Sequence, residues 1–173
     1  MKKVLILSVV VALVGGLAGG STAGVKKLDP TIDNAFLMKA AECNKAAIDA
    51  GKIAERQAAS SEVKNFAKHM VKEHTMCYDK LAELLKNRKV GIVSGTDPNI
   101  REELKRLAKN EGAAFDEAYM QCVVKEHRKA IGMFKAQINT GKEADITSFA
   151  KEALPELRQH LAQAEKMTKA LPK

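Results

Sequence analysis

Three histidines stand out as side chains that could act together. His74, His127 and His160 are far apart in the chain, yet each falls near the middle of a separate helix-forming segment. Each also occupies the apolar seam of its segment, where core-facing residues are spaced alternately three and four apart. On facing helices of a bundle, residues placed in this way share one layer of the core. Imidazole binds zinc, copper, nickel and iron, so the layer is a candidate transition-metal site.

Cysteine side chains accompany the histidines and narrow the choice of metal. Cys77 follows His74 by three residues on the same seam, and Cys122 lies on the segment that carries His127. Thiolate selects copper and zinc, and catalytic zinc sites often combine three protein ligands with one open position. We therefore predict a copper or zinc site whose candidate ligands are His74, His127, His160, Cys77 and Cys122.

A structural role for the same histidines stays open. A buried polar group without a partner costs roughly 1–3 kcal/mol, so three imidazoles in an apolar core need compensation. Hydrogen bonds among the rings, or with Tyr119 or Glu126, would supply it, and the layer would then fix the register of the helices. The alternative to metal binding is thus a non-catalytic structural or interaction module with a hydrogen-bonded polar layer.

The pattern argues against di-iron chemistry and gives no support for an enzyme. Di-iron sites in bundles need Glu-x-x-His on two helices and a glutamate from each of the other two. Val71 stands three residues before His74, however, and Leu157 stands three before His160. The sequence also has no nucleotide-binding loop, nucleophile elbow or zinc-protease motif. No catalytic residue is therefore predicted.

The chain has three cysteines, so at least one thiol is unpaired, bound to something else or shared with another chain. Cys43 lies on the predicted core-facing seam of the first helix, seven residues after Phe36. Cys122 lies seven residues after Phe115, so the two cysteines hold equivalent places in two similar segments. A disulfide between Cys43 and Cys122 would brace these segments, provided that the Cα atoms lie about 4.4–6.8 Å apart.

The rest of the sequence predicts an all-α four-helix bundle. Ala, Lys, Glu, Leu and Gln dominate, all strong helix formers, and the apolar period is helical nearly throughout. Helices are predicted over residues 31–58, 61–89, 99–109, 113–139 and 144–170. The turn-rich stretch 90–99 and the short helix make a long crossover between two helical hairpins, which is the ferritin-like connectivity. We also predict an N-cap at Ser61, a C-cap at Gly141 and a kink at Pro155.

The first 23 residues have the pattern of a secretory signal peptide. Lys2 and Lys3 precede a short apolar run over 4–17, and small residues at 21–23 form a cleavage site. Residues 24–30 are then a flexible start of the mature chain, and 31–171 form one domain. No later apolar run is long enough to cross a membrane. The protein is predicted to be exported, to the periplasm or beyond the cell, with no transmembrane segment in its mature chain.

The charge of the chain is positive but diffuse. Twenty-nine Lys and Arg against 21 Asp and Glu give a net charge of +8, and the sequence has no Trp and only two Tyr. Without basic blocks or aromatic side chains for base stacking, nucleic acid is not an expected partner. The charge fits weak contact with an anionic envelope surface. The expected role is metal handling or envelope stress tolerance, and the pattern gives no indication of oligomeric state.

Short motifs spread over about residues 31 to 168 match a known family in their order and spacing. They are Asp33-Asn34-Ala35-Phe36-Leu37, Ala40-Ala41, Ile48, Gly51, Ala54, Val63 to His74, Phe115-Asp116, Ala118-Tyr119, His127, Phe149-Ala150-Lys151, Leu154-Pro155 and His160-Leu161. At these residues the chain resembles the exported bacterial family named domain of unknown function 4142. The resemblance implies a ferritin-like bundle outside the cytoplasm, without a settled biochemical role, in which His74, His127 and His160 correspond to family histidines.

The sequence departs from that family pattern in its three cysteines and in Ala47, where relatives tend to carry glutamate. If this glutamate helps to build a family site, Ala47 removes one ligand, and the cysteines are candidates to compensate.

Overall fold

The structure is a computed structural model that describes residues 31–91 and 96–171. Five helices occupy this part of the chain, and no strand occurs in it. They are α1 (Ile32–Gln57), α2 (Ser61–Asn87), α3 (Pro98–Leu107), α4 (Gly112–Thr140) and α5 (Ala144–Ala170). The predicted signal peptide and the predicted flexible start of the mature chain lie outside the described residues. No helix in the described ranges combines the length and the apolar character needed to cross a membrane.

Side chains at the helix ends explain where the helices begin. Thr31 accepts a hydrogen bond from the Asn34 backbone N–H at 3.1 Å, and Asp97 accepts one from Asn99 just before Pro98 opens α3. The N-cap of α2 is Ser60, whose Oγ accepts from the Val63 N–H at 3.4 Å. The prediction of Ser61 as this cap was therefore wrong by one residue, because Ser60 has the extended backbone from which a hydroxyl reaches the first helical turn.

One detail at the end of α4 differs from expectation. Gly141 is the C-cap of α4, as predicted, but its backbone is extended (φ −60°, ψ 148°) rather than left-handed. A Cβ at this position would lie 2.6 Å from the Gln137 carbonyl oxygen, so close approach is what requires glycine there. Pro155 lies inside α5, which runs from Ala144 to Ala170 as predicted, and the kink at Pro155 stays a prediction.

The four long helices form two antiparallel hairpins joined by a crossover. Helix α1 packs along α2, α4 packs along α5, and α1 also contacts α4, while α3 touches both α1 and α4. The start of α1 lies beside the end of α4, since Asp33 accepts a hydrogen bond from the Gln137 side chain. This arrangement is the predicted ferritin-like four-helix bundle, with the short helix in the crossover.

The apolar core is divided into two clusters. The first surrounds the α1–α2 turn and includes Ala54, Val63, Phe66, Phe115 and Met120. The second surrounds the α4–α5 turn and includes Leu37, Leu81, Phe134, Ile146 and Phe149. Between the two clusters, each long helix contributes one buried polar residue; these are Asn44, His74, His127 and His160. We call these four residues the polar layer.

Candidate metal centre

The three histidines of the polar layer converge as the sequence predicts. His74 on α2, His127 on α4 and His160 on α5 are only 8%, 5% and 3% exposed. The ring centroids of His127 lie 5.4 Å from those of both His74 and His160, and the other two centroids are 5.7 Å apart. One ring nitrogen from each histidine lies within 4.8 Å of the other two. The rings therefore form a nearly equilateral triangle in the centre of the bundle.

Asn44 orients the first of these rings. Its side-chain NH₂ donates to the Ala40 carbonyl at 2.8 Å, which identifies the other amide atom as the oxygen. That oxygen lies 2.8 Å from His74 Nδ1. Because a carbonyl oxygen only accepts, His74 must carry its proton on Nδ1, and Nε2 is left with a free lone pair.

The other two rings are oriented by acceptors in the same way. His127 Nδ1 donates to the Val123 carbonyl oxygen at 3.0 Å, and His160 Nε2 donates to a Glu73 carboxylate oxygen at 2.6 Å. The ring nitrogen without a proton is then Nε2 in His127 and Nδ1 in His160. A hydrogen bond to the nitrogen opposite the metal is the usual way in which proteins orient metal-binding histidines.

The remaining ring nitrogens are buried and have no hydrogen-bond partner in the described chain. They are His74 Nε2, His127 Nε2 and His160 Nδ1. Three buried acceptors without donors would together cost several kcal/mol if nothing compensated them. The rings do not compensate one another, because each has already given its single N–H to Asn44, Val123 or Glu73. The arrangement suits a positively charged centre that accepts three lone pairs.

Burial keeps the three imidazoles neutral, which is the form that binds metal. Burial, reinforced by the neighbouring His127 and His160, lowers the pKa of His74 to about 3. Burial also lowers the pKa of His127 to about 4, although the hydrogen bond to Val123 opposes the shift. Burial likewise lowers the pKa of His160, and the nearby charge of Glu156 opposes this shift. At neutral pH the site therefore presents three uncharged nitrogen ligands.

A small cavity borders the triangle on the side of His74 and His160. Its volume is about 20 Å³, and Cys77, Glu73 and Glu156 are among the residues that line it. A water molecule needs a cavity of about 10–15 Å³, so there is room for one small ligand beside the rings. Three imidazoles with an adjacent position of this size match a three-ligand metal site that leaves one coordination position open.

The cysteines lie outside the cluster of converging ligand atoms. Cys43, Cys77 and Cys122 are free, half-buried thiols, and no disulfide joins any of them. The groups of ligand atoms close enough to share an ion, among the residues that the structure describes, include no cysteine. Burial, ahead of the charge of Glu156, raises the pKa of Cys77 to about 11, so this thiol is protonated at neutral pH. Ligation by Cys77 or Cys122 and the Cys43–Cys122 disulfide remain predictions without support from this geometry.

The predicted hydrogen-bond partners of the histidines are also elsewhere. Tyr119 is fully buried in the first apolar cluster, and Glu126 pairs with Lys129 near the surface. The actual partners, Asn44 and Glu73, were not predicted. The sequence pattern favours Cys43 over Asn44 on the seam of α1, and it gives Glu73 the character of an exposed charged residue. Asn44 lies seven residues after Leu37, three after Ala41 and four before Ile48, which is the spacing of a core-facing seam.

Comparison with solved structures identifies the fold. A DUF305 fragment from Deinococcus radiodurans is 11% identical with a TM-score of 0.72, covering 80% of this chain and 96% of that chain. CopM in its Cu(I)-bound form is 15% identical with a TM-score of 0.67, and in its Cu(II)-bound form 14% identical with a TM-score of 0.65. Both CopM comparisons cover 80% of this chain and 96% of that chain. At these identities the likeness establishes a shared helical fold.

Comparison of sequences identifies the family. None of the curated proteins matches this chain. A family model described as a domain of unknown function, DUF4142, matches residues 19–167, which is most of the sequence. The resemblance inferred from the motifs is thereby confirmed, and this chain belongs to the DUF4142 family.

Proposed function

We propose that this protein binds one transition-metal ion, copper or zinc, in the centre of its bundle through His74, His127 and His160. The proposal is carried by two observations: one ring nitrogen of each histidine lies within 4.8 Å of the other two, and each ring has one buried nitrogen without a hydrogen-bond partner in the described chain. Each imidazole is neutral and has its other nitrogen held by an acceptor, as in established metal sites. The role that we propose for the bound ion is metal handling.

Copper is the better supported of the two metals. CopM has the same fold and is described in copper-bound forms, and imidazole is a suitable ligand for copper. The ligand set here is uncharged and buried. The cost of moving an ion into such an environment is large and rises steeply with its charge, so Cu(I) would be disfavoured less than a divalent ion.

The proposed location is outside the cytoplasm, on the strength of the signal-peptide pattern in the first 23 residues. In that setting, metal binding would contribute to metal handling or stress tolerance in the cell envelope. Fractionation of cells that express the full chain, with N-terminal sequencing of the product, tests this part of the proposal. Recovery of an uncleaved chain in the cytoplasm would contradict it.

The central experiment measures metal binding by the purified protein and by His127→Leu. We expect about one Cu(I) or Zn(II) per wild-type chain by elemental analysis after dialysis, and at least a hundredfold weaker affinity in the variant. Binding to the native state should also raise its stability by about 4 kcal/mol when the free metal is a thousandfold above Kd. The matched control is Lys135→Gln, an exposed change on the same helix, which should bind as wild type does.

The same variants test the alternative of a purely structural polar layer. In that case no metal would bind, and removing a ring would destabilise the fold through loss of its hydrogen bond. If the layer is a metal site, the metal-free protein should not lose stability on this change, because leucine removes a costly buried polar group. Metal-free His127→Leu should then unfold at an equal or higher denaturant concentration than wild type. Absence of bound metal together with a destabilised variant would overturn the proposal.

A further inference from the structure

A second group of potential ligands lies immediately outside the triangle of histidines. His69 and Glu73 are four residues apart on α2, with 3.2 Å between His69 Nε2 and one Glu73 carboxylate oxygen. The other Glu73 oxygen faces His160 Nε2. The rings of His69 and His160 are 5.8 Å apart, and one ligand atom from each of the three residues lies within 4.8 Å of the others.

This second group differs from the inner triangle in exposure and in charge. The side chain of His69 is 42% exposed and that of Glu73 is 26% exposed, whereas His160 is buried. The Glu73 carboxylate contributes negative charge, and Glu156 lies against it. Burial raises the pKa of Glu156, and a hydrogen bond with Glu73 adds to the shift. The inner triangle is almost fully buried and contains no charged ligand.

We propose that His69, Glu73 and His160 form a second metal site that faces solvent and binds a divalent ion, Zn(II) or Cu(II). Two imidazoles and one carboxylate are a known ligand set for zinc, and nitrogen with oxygen ligands suits Cu(II). The carboxylate offsets part of the charge of the ion, and partial exposure reduces the cost of desolvation. The inference rests on the proposed inner site in one respect, which is that His160 belongs to both.

His160 makes the two sites exclude each other. A neutral imidazole has one lone-pair nitrogen and one N–H, so it binds an ion through only one nitrogen at a time. When an ion occupies the inner site, Nδ1 is the ligand and Nε2–H donates to Glu73. When an ion occupies the outer site, Nε2 is the ligand and the proton resides on Nδ1, facing the inner nitrogens. One chain then holds one ion in two alternative positions, one of them open to solvent.

The experiment compares Zn(II) affinity and stoichiometry in four proteins, with a chromophoric chelator as competitor. They are wild type, His127→Leu, His69→Gln/His127→Leu and the control Lys72→Gln/His127→Leu. We expect one Zn(II) per wild-type chain and one per His127→Leu chain, the latter bound at least a hundredfold more weakly. Adding His69→Gln should weaken binding by a further tenfold or more, because it removes a ligand of the outer site. Lys72 is exposed on the same helix, and its replacement should change nothing.

The outcomes separate the two sites. If His127→Leu binds no more Zn(II) than the double variant with His69→Gln, the outer site is refuted while the inner one stands. If wild type and His127→Leu have equal affinities and both respond to His69→Gln, the inner site is refuted instead. Two ions on one wild-type chain would refute the sharing of His160. Should His127→Leu fail to fold by circular dichroism, His74→Leu removes the inner site equally and replaces it in each arm.

Discussion

Buried polar groups occur in two regions of this bundle, and the regions differ in how fully their hydrogen-bonding capacity is used. At the ends, Asp116 at the start of α4 accepts from the Ala59 and Ser60 backbone N–H groups at 2.9 and 2.7 Å. Asp33 at the start of α1 accepts from the Lys142 N–H and the Gln137 side chain. In the middle, each histidine uses one nitrogen and leaves the other without a partner.

The comparison shows which buried polar groups serve the fold and which are free for another purpose. Each aspartate ties the first turn of one hairpin to the loop of the other, so both carboxylates are used by the fold itself. A fold that needed the histidines only as spacers would use their second nitrogens as well, or would replace the rings with leucine. At neutral pH the ends of the bundle should therefore govern its stability, and the centre its metal binding.

The largest expected effect is a loss of stability of the metal-free protein in acid. Burial holds the pKa of His74 near 3 and that of His127 near 4, whereas unfolded histidine takes up its proton near pH 6.5. Between these values the unfolded chain binds more protons than the native one, so native stability is complete above about pH 6.5 and falls as the pH decreases. From pH 7 to pH 4 we expect a loss of roughly 3 kcal/mol or more, at about 1.4 kcal/mol per pKa unit.

Urea unfolding at a series of pH values measures this loss. Glu73, Glu156 and His69 are further ionisable side chains beside His160, so the effect of the central rings has to be isolated by comparison. The variant His74→Leu therefore serves as the reference, and its stability should fall less steeply between pH 6.5 and pH 4. Parallel curves for wild type and variant would show that the central histidines are not held neutral by burial.

The second expected effect concerns the ends of the bundle. Replacing Asp116 by alanine leaves the Ala59 and Ser60 N–H groups without their charged acceptor, and hydrogen bonds to charged groups contribute about 1.5–3 kcal/mol each. We expect the free energy of unfolding to fall by about 3 kcal/mol. Metal affinity should not change, because Asp116 lies eleven residues from His127, about 16 Å along α4. Glu117→Ala, an exposed change in the same turn, is the control, and equal stabilities of the two variants would contradict the assignment.

The third expected effect concerns Asn44, the member of the polar layer that orients His74. Asn44→Leu removes the acceptor that fixes the proton of His74 on Nδ1, and loss of such a partner costs roughly 10–100-fold in metal affinity. Asn44→Asp retains an acceptor and should bind metal much as wild type does. Chelator competition at pH 7 compares the three proteins. Unchanged affinity in the leucine variant would mean that the His74 ring does not depend on Asn44 for its orientation.

The smallest expected effect is that of the cysteine nearest the centre. Cys77 borders the cavity but does not belong to the cluster of converging ligand atoms. Its raised pKa also disfavours the thiolate that a metal requires. Cys77→Ser should therefore change metal affinity by less than about threefold, which is well under the 1.4 kcal/mol of a tenfold change. A larger loss would return Cys77 to the ligand set, as the sequence first suggested.

The sequence predicts the helices and the histidine layer because both follow from local periodicity. Each long helix has a regular apolar seam, and His74, His127 and His160 interrupt three of these seams at similar depth. On α1 the same reasoning chose Cys43 rather than Asn44. Helix α1 is rich in alanine, so both of its neighbouring stripes are apolar: Phe36 marks the stripe of Cys43, whereas Leu37 and Ile48 mark the stripe of Asn44.

Contacts between helices are the part that periodicity cannot supply. Glu73 and Glu156 are charged residues on the outer sides of α2 and α5, and in sequence they look like other surface charges. Their contact with each other and with His160 depends on the separation and rotation of two helices that are distant in the chain. The orientation of each ring depends on the same quantities. The sequence therefore locates the ligands, while only the packed structure gives their tautomers and the outer group of residues.

Gly51 allows the backbones of α1 and α2 to approach closely near the polar layer. A methyl group on Gly51 would lie 2.6 Å from a Val71 methyl carbon and 3.3 Å from the Ala67 carbonyl oxygen. Helices α1 and α2 touch there almost backbone to backbone, two turns from Asn44 and about one turn from His74. The length of the hydrogen bond between Asn44 and His74 thus depends on Gly51, a residue with no side chain. A larger side chain at position 51 would push the two helices apart and lengthen the hydrogen bond that orients His74. The distance between two main chains therefore influences how strongly this histidine can bind a metal.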